Sequence, residues 1–429
     1  MEENTETKEL QTNSKKRKSV SNEYSPFEPK KRRKNKEATI PPPSEDDMPL
    51  NIPFRVTNGN YKTTTKRRWV GRKIAECFRE EFLAYDDNYS YVACKMGRVF
   101  VNGKQCTDPE YELQHNDTIC HISHRHEPPI MDAPIEFIEN NENLLVINKP
   151  ASMPVHSCAQ YKIHTVVGML WTRYGISGLR LIHRLDRATS GVLIFARNYE
   201  TDIELKQAIQ SNKMKKEYVC KVEGVFPSEE VFCDEPIGRL INTMGLQCTR
   251  PDGKPAKSVF RRLWTDGTNS VISAVIETGR THQIRVHLQY LGYPILNDMF
   301  YNHEAWGPFK GRGANYGKPF EQLVKDIEEA HKTSNWHLDK NPTYLQKLEL
   351  IRDESIEPEN LANFGANGLL NRPDFDPICL NCNITRKIPT LDYFRMFLHC
   401  RRYVNEKFNF ETPLPDWAIE PKVNDHFCC

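Results

Sequence analysis

The sequence predicts an α+β protein built on a mixed, largely antiparallel sheet. Three observations predict it. Four strand candidates stand out: Leu144–Asn148, Gly191–Ala196, Glu217–Val222 and Val271–Glu277. Turns and short helical patterns separate them, without the regular βαβ alternation that a parallel sheet needs. The chain has 429 residues, 38% of them hydrophobic, which is enough for a real core and two or three domains. No run approaches the ~20 apolar residues that span a bilayer. The polar, acidic start Met1-Glu2-Glu3-Asn4 does not read as a signal peptide. The 13 cysteines are odd in number and mostly scattered singly, so they are expected to be reduced thiols in the cytosol or nucleus. The net charge is only +2, so a nucleic-acid partner has to be argued from where the charges sit.

Along the chain, residues 1–50 read as a disordered tail with few aliphatic residues to bury. It holds two basic clusters, Lys15-Lys16-Arg17-Lys18 and Lys30-Lys31-Arg32-Arg33-Lys34. Their spacing resembles a bipartite import signal, which predicts a nuclear or nucleocytoplasmic protein that meets the import machinery. An RNA-contacting arm, or a merely solvated tail on a cytoplasmic protein, are the competing readings. Pro41-Pro42-Pro43 and Glu45-Asp46-Asp47 mark a linker.

Residues 60–125 form a small module. A helix is expected from Trp69 through Phe82, with Ile74, Phe78 and Phe82 on one face. Val99-Phe100-Val101-Asn102-Gly103-Lys104 reads as a strand entering a tight hairpin turn. Leu113–Ile119 reads as a turn feeding another strand. Residues 133–302 form the main α+β domain. Residues 303–369 look like an insertion or linker, with helical spacing over Phe320–His331. Residues 370–429 form a C-terminal segment of the main domain, with an aromatic helix pattern from Tyr393 to His399.

The chemistry concentrates in three motifs. In Leu181-Ile182-His183-Arg184-Leu185-Asp186-Arg187-Ala188-Thr189-Ser190-Gly191, a carboxylate flanked by arginines precedes a tight turn and an apolar strand. Nearby positive charge favours an ionised Asp186, and a fixed, ionised carboxylate suits nucleophilic catalysis at a sugar or base. Glu277-Thr278-Gly279-Arg280-Thr281-His282-Gln283-Ile284-Arg285-Val286-His287-Leu288 lines up donors that cannot all be bland core, and expects an anionic or base-edge partner. Lys216-Glu217-Tyr218 opens a strand behind Lys213 and Lys215. Weaker than these is Asn148-Lys149-Pro150-Ala151-Ser152-Met153-Pro154-Val155-His156, a strand exit into a proline-stiffened loop.

In this order the motifs resemble the signature set of the RluA-type RNA pseudouridine synthases over residues 133–302. Loosely, 60–125 resembles the S4-like RNA-binding module that precedes many of them, with Lys66, Arg67, Arg68, Arg72 and Lys73 as phosphate contacts. Leu398-His399-Cys400-x-x-Tyr403 and Thr412-Pro413-Leu414-Pro415-Asp416-Trp417-Ala418 resemble the C-terminal part of a eukaryotic subgroup, which includes tRNA position-32 synthases and their animal relatives. The resemblance implies a pseudouridine synthase fold with a central RNA-binding cleft. It also implies an isomerase acting on tRNA or mRNA without a cofactor, and a monomer with no membrane partner is expected. Asp186 would be the catalytic aspartate, Tyr218 would lie against the target base and help remove the C5 proton, and Arg285 would pair with Asp186 and position it. Arg184 would take or border the place of the flipped nucleotide. His183, Arg187, Thr189, Lys216, Arg280, His282 and Gln283 would complete the RNA-binding set. Ala151-Ser152-Met153-Pro154 departs from the pattern of many such enzymes, which carry a glycine in the loop after Lys-Pro.

Rival readings are weighed on the same residues. A glycoside hydrolase wants two carboxylates at a set separation, and only Asp186 qualifies in the basic cluster. Cys379-x-x-Cys382, with His399 and Cys400 downstream, is a weak zinc motif, and no metal ligand is assigned. A zinc deaminase needs His-x-Glu ahead of Pro-Cys-x-x-Cys, but His-x-Glu does not occur and Ile378 precedes Cys379. A catalytically inactive RNA-binding protein on the same fold is the alternative in function; retention of Asp186, Tyr218 and Arg285 favours the enzyme.

Overall fold

The computed structural model describes residues 51–52, 55–81, 88–158, 161–333, 342–353, 376, 379, 382 and 390–421. The basic clusters of the first 50 residues lie outside them. No helix among the described residues is long and apolar enough to cross a membrane.

The first module runs through β1 (Asn51–Ile52), β2 (Arg55–Thr64), α1 (Ile74–Glu81), α2 (Tyr89–Lys95), β3 (Val99–Val101), β4 (Lys104–Gln105) and β5 (Thr118–Glu127). Its antiparallel sheet has the order β2-β5-β3-β4. The helix expected from Trp69 begins later, at Ile74, because Gly71 sits at φ +79 and breaks the chain after a short 3-10 turn. Trp69, Ile74, Cys77 and Phe78 bury against Val92, Ala93, Leu113 and Ile119. Each large side chain so buried is worth ~1.5–3 kcal/mol. Asn102 and Gly103 take φ +52 and +80, the two positive values that a tight β3–β4 hairpin requires.

The second region contains β6 (Ile130–Met131), β7 (Glu136–Asn140), β8 (Leu144–Lys149), α3 (Val166–Tyr174), β9 (Arg180–Leu181), β10 (Ser190–Ala196), α4 (Tyr199–Gln210) and β11 (Lys215–Glu223). There follow β12 (Val231–Cys233), β13 (Ile237–Ile241), β14 (Leu246–Thr249), β15 (Ser258–Thr265), β16 (Asn269–Ile276) and α5 (Gln283–Leu291). After α6 (Phe320–Thr333), α7 (Pro342–Arg352) and α8 (Leu391–Phe394) come β17 (Leu398–Val404) and β18 (Asn409–Glu411). Ten strands form one sheet with the path β12-β15-β16-β11-β17-β10-β8-β7; β18 joins β17 and β9 joins β10. Only β10 and β17 pair in parallel, so the sheet is mixed and largely antiparallel. Alternation along β8 and β10 sends Val146, Val192 and Ile194 into one core and Leu145, Ile147, Leu193 and Phe195 into another beneath α3. Both faces are therefore covered.

The aromatic pattern at Tyr393–His399 is not one helix. Only Leu391–Phe394 is helical, and Leu398, His399 and Cys400 begin a strand between β10 and β11. Leu398, His399 and Cys400 are buried in succession, and such a stretch has no period that separates strand from helix. The approach is close: Gly191 has φ +111, and a Cβ there would lie 2.1 Å from the Cys400 carbonyl oxygen. Where it is described, the insertion or linker 303–369 packs onto its neighbours. Trp306, Leu323 and Ile327 pack with Val286 and Tyr301, while Tyr344, Leu348 and Ile351 of α7 join the first module's core.

Candidate active site

The site forms where the β9–β10 loop meets the first turns of α5. The Thr189 N–H donates to the Asp186 carbonyl at 3.2 Å, closing the turn that presents the Asp186 side chain. From α5, Arg285 Nη1 donates to Asp186 Oδ2 at 2.9 Å. The rest of that guanidinium is committed elsewhere: Nε and Nη2 donate to the two Asp298 oxygens at 2.7 and 2.8 Å. Asp298 Oδ1 also accepts the backbone N–H groups of Phe300 and Tyr301. Beneath the guanidinium lies the Tyr301 ring, 4.7 Å from Arg285 Cζ. The Asp298 side chain is fully buried, whereas Asp186 keeps 24% of its side-chain surface open. Asp298 therefore fixes the arginine, and the arginine fixes the one carboxylate that faces outward.

Burial alone would raise the Asp186 carboxyl, but the fields of His282, Arg285 and Arg184, together with the Arg285 hydrogen bond, outweigh it and hold it below the ordinary carboxylate range. Burial pushes His282 down to about 4, so near neutral pH Arg285 is the persistent cation. His282 takes a left-handed conformation, φ +57, at the head of α5. Tyr301 Oη accepts the Gln247 N–H at 3.0 Å and can then donate to His282 Nδ1 at 2.9 Å. That leaves the imidazole proton on Nε2, which points toward Asp186 Oδ2 at 3.7 Å.

Lys149 supports the other flank. Its fully buried ammonium donates to the carbonyls of Pro150, Met153 and Arg187 at 2.8, 2.7 and 3.1 Å. Burial and the Arg187 charge push it down to about 7, while three accepting carbonyls favour the protonated form. Ser152, in the loop so held, sits at φ +73, where glycine would be unstrained; its buried Oγ accepts the Met131 N–H at 2.8 Å and offsets that cost.

The remaining sequence candidates divide by exposure. Arg184 and Arg280 are exposed. Arg187 is half-buried beside the Tyr393 ring, and its Nη1 has no hydrogen-bond partner among the described residues. Three residues expected to face RNA are turned inward. Thr189 is buried in the turn; Lys216 Nζ donates to the Glu277 carbonyl at 2.9 Å. Gln283 bonds Thr278 Oγ1, the Arg280 N–H, the Lys257 carbonyl and Ser258 Oγ. They shape the frame from within. His183 is likewise engaged: its Nε2 accepts the Ile194 N–H at 3.2 Å, so its proton is on Nδ1, facing the Tyr403 hydroxyl at 3.2 Å. Tyr403 stacks on His183, and its hydroxyl lies 3.4 Å from that of Tyr218. Burial raises Tyr218 well above the ordinary phenol range, so it is a neutral phenol. Sequence reasoning gave no role to Asp298, Lys149 or Tyr301. Asp298 had one faint signal, a carboxylate two positions after the apolar run Pro294-Ile295-Leu296, behind Asn297.

The site thus presents an outward-facing, arginine-clamped carboxylate in a basic surround, on a largely antiparallel sheet. Residues 143–290 match the family described as RNA pseudouridylate synthase. An uncharacterized protein of Caenorhabditis elegans is 49% identical over 87% of this chain and 88% of its own length. The pseudouridylate synthase RPUSD2 of Homo sapiens is 36% identical over 85% of this chain and 73% of its own. The mitochondrial tRNA pseudouridine(32) synthase of Saccharomyces cerevisiae is 34% identical over 84% and 75%. Among solved structures, human RNA pseudouridylate synthase domain containing 4 aligns with a TM-score of 0.39 and 20% identity over 66% of this chain and 90% of that one. The chain belongs to the RNA pseudouridylate synthase family, and it is an isomerase acting on RNA.

Proposed function

We propose that this isomerase converts uridine to pseudouridine in tRNA, with Asp186 as the group that acts on the nucleoside. The observation that carries the role of Asp186 is its setting: ionised, held by Arg285, and a quarter open to the outside. The reaction breaks the N1–C1′ bond, rotates the base and forms a C5–C1′ bond, while a proton leaves C5 and one is gained at N1. Atoms and electrons balance without an oxidant, a donor or a second substrate, so one well-placed carboxylate suffices. The target uridine must leave its stack to reach that carboxylate. Arg184, exposed beside Asp186, is suited to the gap it leaves. Arg187 is half-buried and its Nη1 is sealed from solvent, so its charge supports an anionic partner at the site without presenting that nitrogen to it. Tyr218 stays a neutral phenol, which favours holding the base over abstracting its proton.

The choice of tRNA rests on a relative named for tRNA that aligns over most of both chains. Pseudouridine is mapped across all RNAs in cells with and without the protein, with Asp186→Asn as a further arm. The expected result is loss of pseudouridine at tRNA positions in both the null and the Asp186→Asn cells. Loss confined to mRNA or rRNA would overturn the substrate, and full modification by Asp186→Asn would overturn the residue. For location, the two basic clusters are proposed as a nuclear import signal. Changing both to Ala should move a tagged protein out of the nucleus and leave the purified enzyme's rate intact; an unchanged location with weaker RNA binding would make them a binding arm.

A further inference from the structure

We propose that His124, His126, Cys379 and Cys382 form a structural zinc site that fastens the chain around Cys379 and Cys382 onto the sheet of the first module. The sequence pointed to Cys379-x-x-Cys382 but looked for its partners downstream, at His399 and Cys400. Both are committed elsewhere. His399 uses Nδ1 on Ser190 Oγ at 2.8 Å and Nε2 on Thr412 Oγ1 at 2.7 Å, and Cys400 is buried in the central sheet. The histidines that meet the pair lie about 255 residues upstream, in His124-Arg125-His126 on β5.

Residues two apart on a strand share a face, so β5 offers both imidazoles to the same side. The donor atoms of His124, His126, Cys379 and Cys382 all lie within 4.8 Å of one another. His126 Nε2 is 3.1 Å from Cys382 Sγ. In a tetrahedral site with Zn–S of ~2.3 Å and Zn–N of ~2.0–2.1 Å, donors sit roughly 3.3–3.8 Å apart. Sub-ångström movements of these side chains therefore reach that geometry. Two thiolates and two imidazoles are a complete four-ligand set of the structural type, with no position left for substrate.

The surroundings suit a metal-bound thiolate. The Cys379 N–H donates to the Asp376 carbonyl at 3.0 Å and the Cys382 N–H to the Cys379 carbonyl at 3.1 Å, which curls the pair into a tight turn. The Asp376 N–H donates to Cys382 Sγ at 3.3 Å. Next to the site, Arg98 of the first module makes a bidentate, fully buried ion pair with Asp376 at 2.6 and 2.9 Å. Two independent fastenings thus join the same two stretches of chain. A bound ion would close a loop of about 255 residues, and its binding free energy would become folding free energy.

The test uses the full-length chain purified under reducing conditions. Elemental analysis should find about one zinc per chain, and Cys379→Ser with Cys382→Ser should lose it. Cobalt(II) added to metal-stripped protein should give the intense visible bands and sulfur-to-cobalt charge transfer of a tetrahedral thiolate site. Stripping with a chelator should lower the melting temperature and expose two extra reactive thiols. The wild-type arms stand even if the double variant does not fold. Wild-type protein with no zinc and no tetrahedral cobalt spectrum would overturn the site, as would a Cys379–Cys382 disulfide in the purified chain.

Discussion

Arg285 at the active site and the basic residues of the first module use positive charge in opposite ways. Arg285 is 7% exposed and divides its donors between Asp298, which is sealed, and Asp186, which is open. Arg68, Arg72 and Lys73 carry comparable charge but lie nearer the surface: Glu80 and Glu110, the partners of Arg72 and Lys73, are exposed with them, while Glu81, the partner of Arg68, keeps 13% of its side chain open. A buried pair cannot exchange its partner without stranding a charge, so it fixes geometry. An exposed pair contributes little and exchanges freely, so it leaves the cation available to a phosphate. The first arrangement suits chemistry; the second suits adjustable binding.

The sharpest way to test the contrast is Asp186→Asn. The change is nearly isosteric and removes only the charge, so the single-turnover rate should fall at least about ten-thousand-fold. RNA affinity should stay within about tenfold, since no phosphate contact is touched. A rate near wild type would remove Asp186 from the chemistry. Arg285→Met should come next. Asp298 would keep only the Phe300 and Tyr301 N–H groups, and a buried carboxylate robbed of its cation costs ~3–5 kcal/mol. The rate should fall about a hundredfold or more as Asp186 is freed to rotate. The pH dependence carries a sign. Asp186 is held below its ordinary range, so its stabilising contribution is present above that range and is lost as pH falls through the lowered value. Without Arg285 the acid limb of the rate should move to higher pH. Collapse of RNA binding with the rate retained at saturating enzyme would make Arg285 a phosphate ligand instead.

These variants also show what the sequence could and could not disclose. Strands at 144–149 and 190–196 are legible as apolar runs bounded by turn residues, and those at 215–223 and 269–276 by shorter apolar stretches, Tyr218-Val219-Cys220 and Val271-Ile272, set among polar residues. Asp186 and Arg285 are legible as motif members. Asp298 is not: a carboxylate is buried only because a cation 13 positions earlier folds back onto it, and no periodicity encodes that. Lys149 hides for a similar reason, since its partners are three backbone carbonyls and carbonyls have no sequence. The β17 strand is ambiguous because burial on both faces erases its period, and the partners of Cys379 and Cys382 could not be placed without knowing where β5 lies.

Lys149→Met tests the less visible flank. It leaves three inward carbonyls without a donor, each worth ~1–3 kcal/mol if unsatisfied, though partial relaxation will recover some of that. A lower melting temperature and a rate loss smaller than that of Arg285→Met are expected. Unchanged stability would mean that the loop is held by Ser152 and Met131 alone. Tyr218→Phe should cost less again, about tenfold or under in rate, because a ring that only holds the base keeps its contact when the hydroxyl is lost. A loss as large as that of Asp186→Asn would make the hydroxyl a proton carrier.

The smallest effect is expected from the first module, and it is the one that defines the comparison. Arg68→Gln with Arg72→Gln frees Glu80, a surface residue, and Glu81, which keeps 13% of its side chain open, so the melting temperature should fall only slightly. If the two arginines trade these carboxylates for RNA phosphates, affinity should drop only a few-fold at moderate salt, but the salt dependence should change in a defined way. Each phosphate contact contributes roughly 0.7–0.9 to the slope of log K against log salt, so losing two should flatten it by about 1.4–1.8. The single-turnover rate at saturating enzyme should be unchanged, because neither residue touches Asp186, Arg285 or Asp298. Dissociation constants at three salt concentrations, with the rate measured alongside, decide the matter. An unchanged slope would show that the pairs persist in the complex and that this face of the module is not where RNA binds.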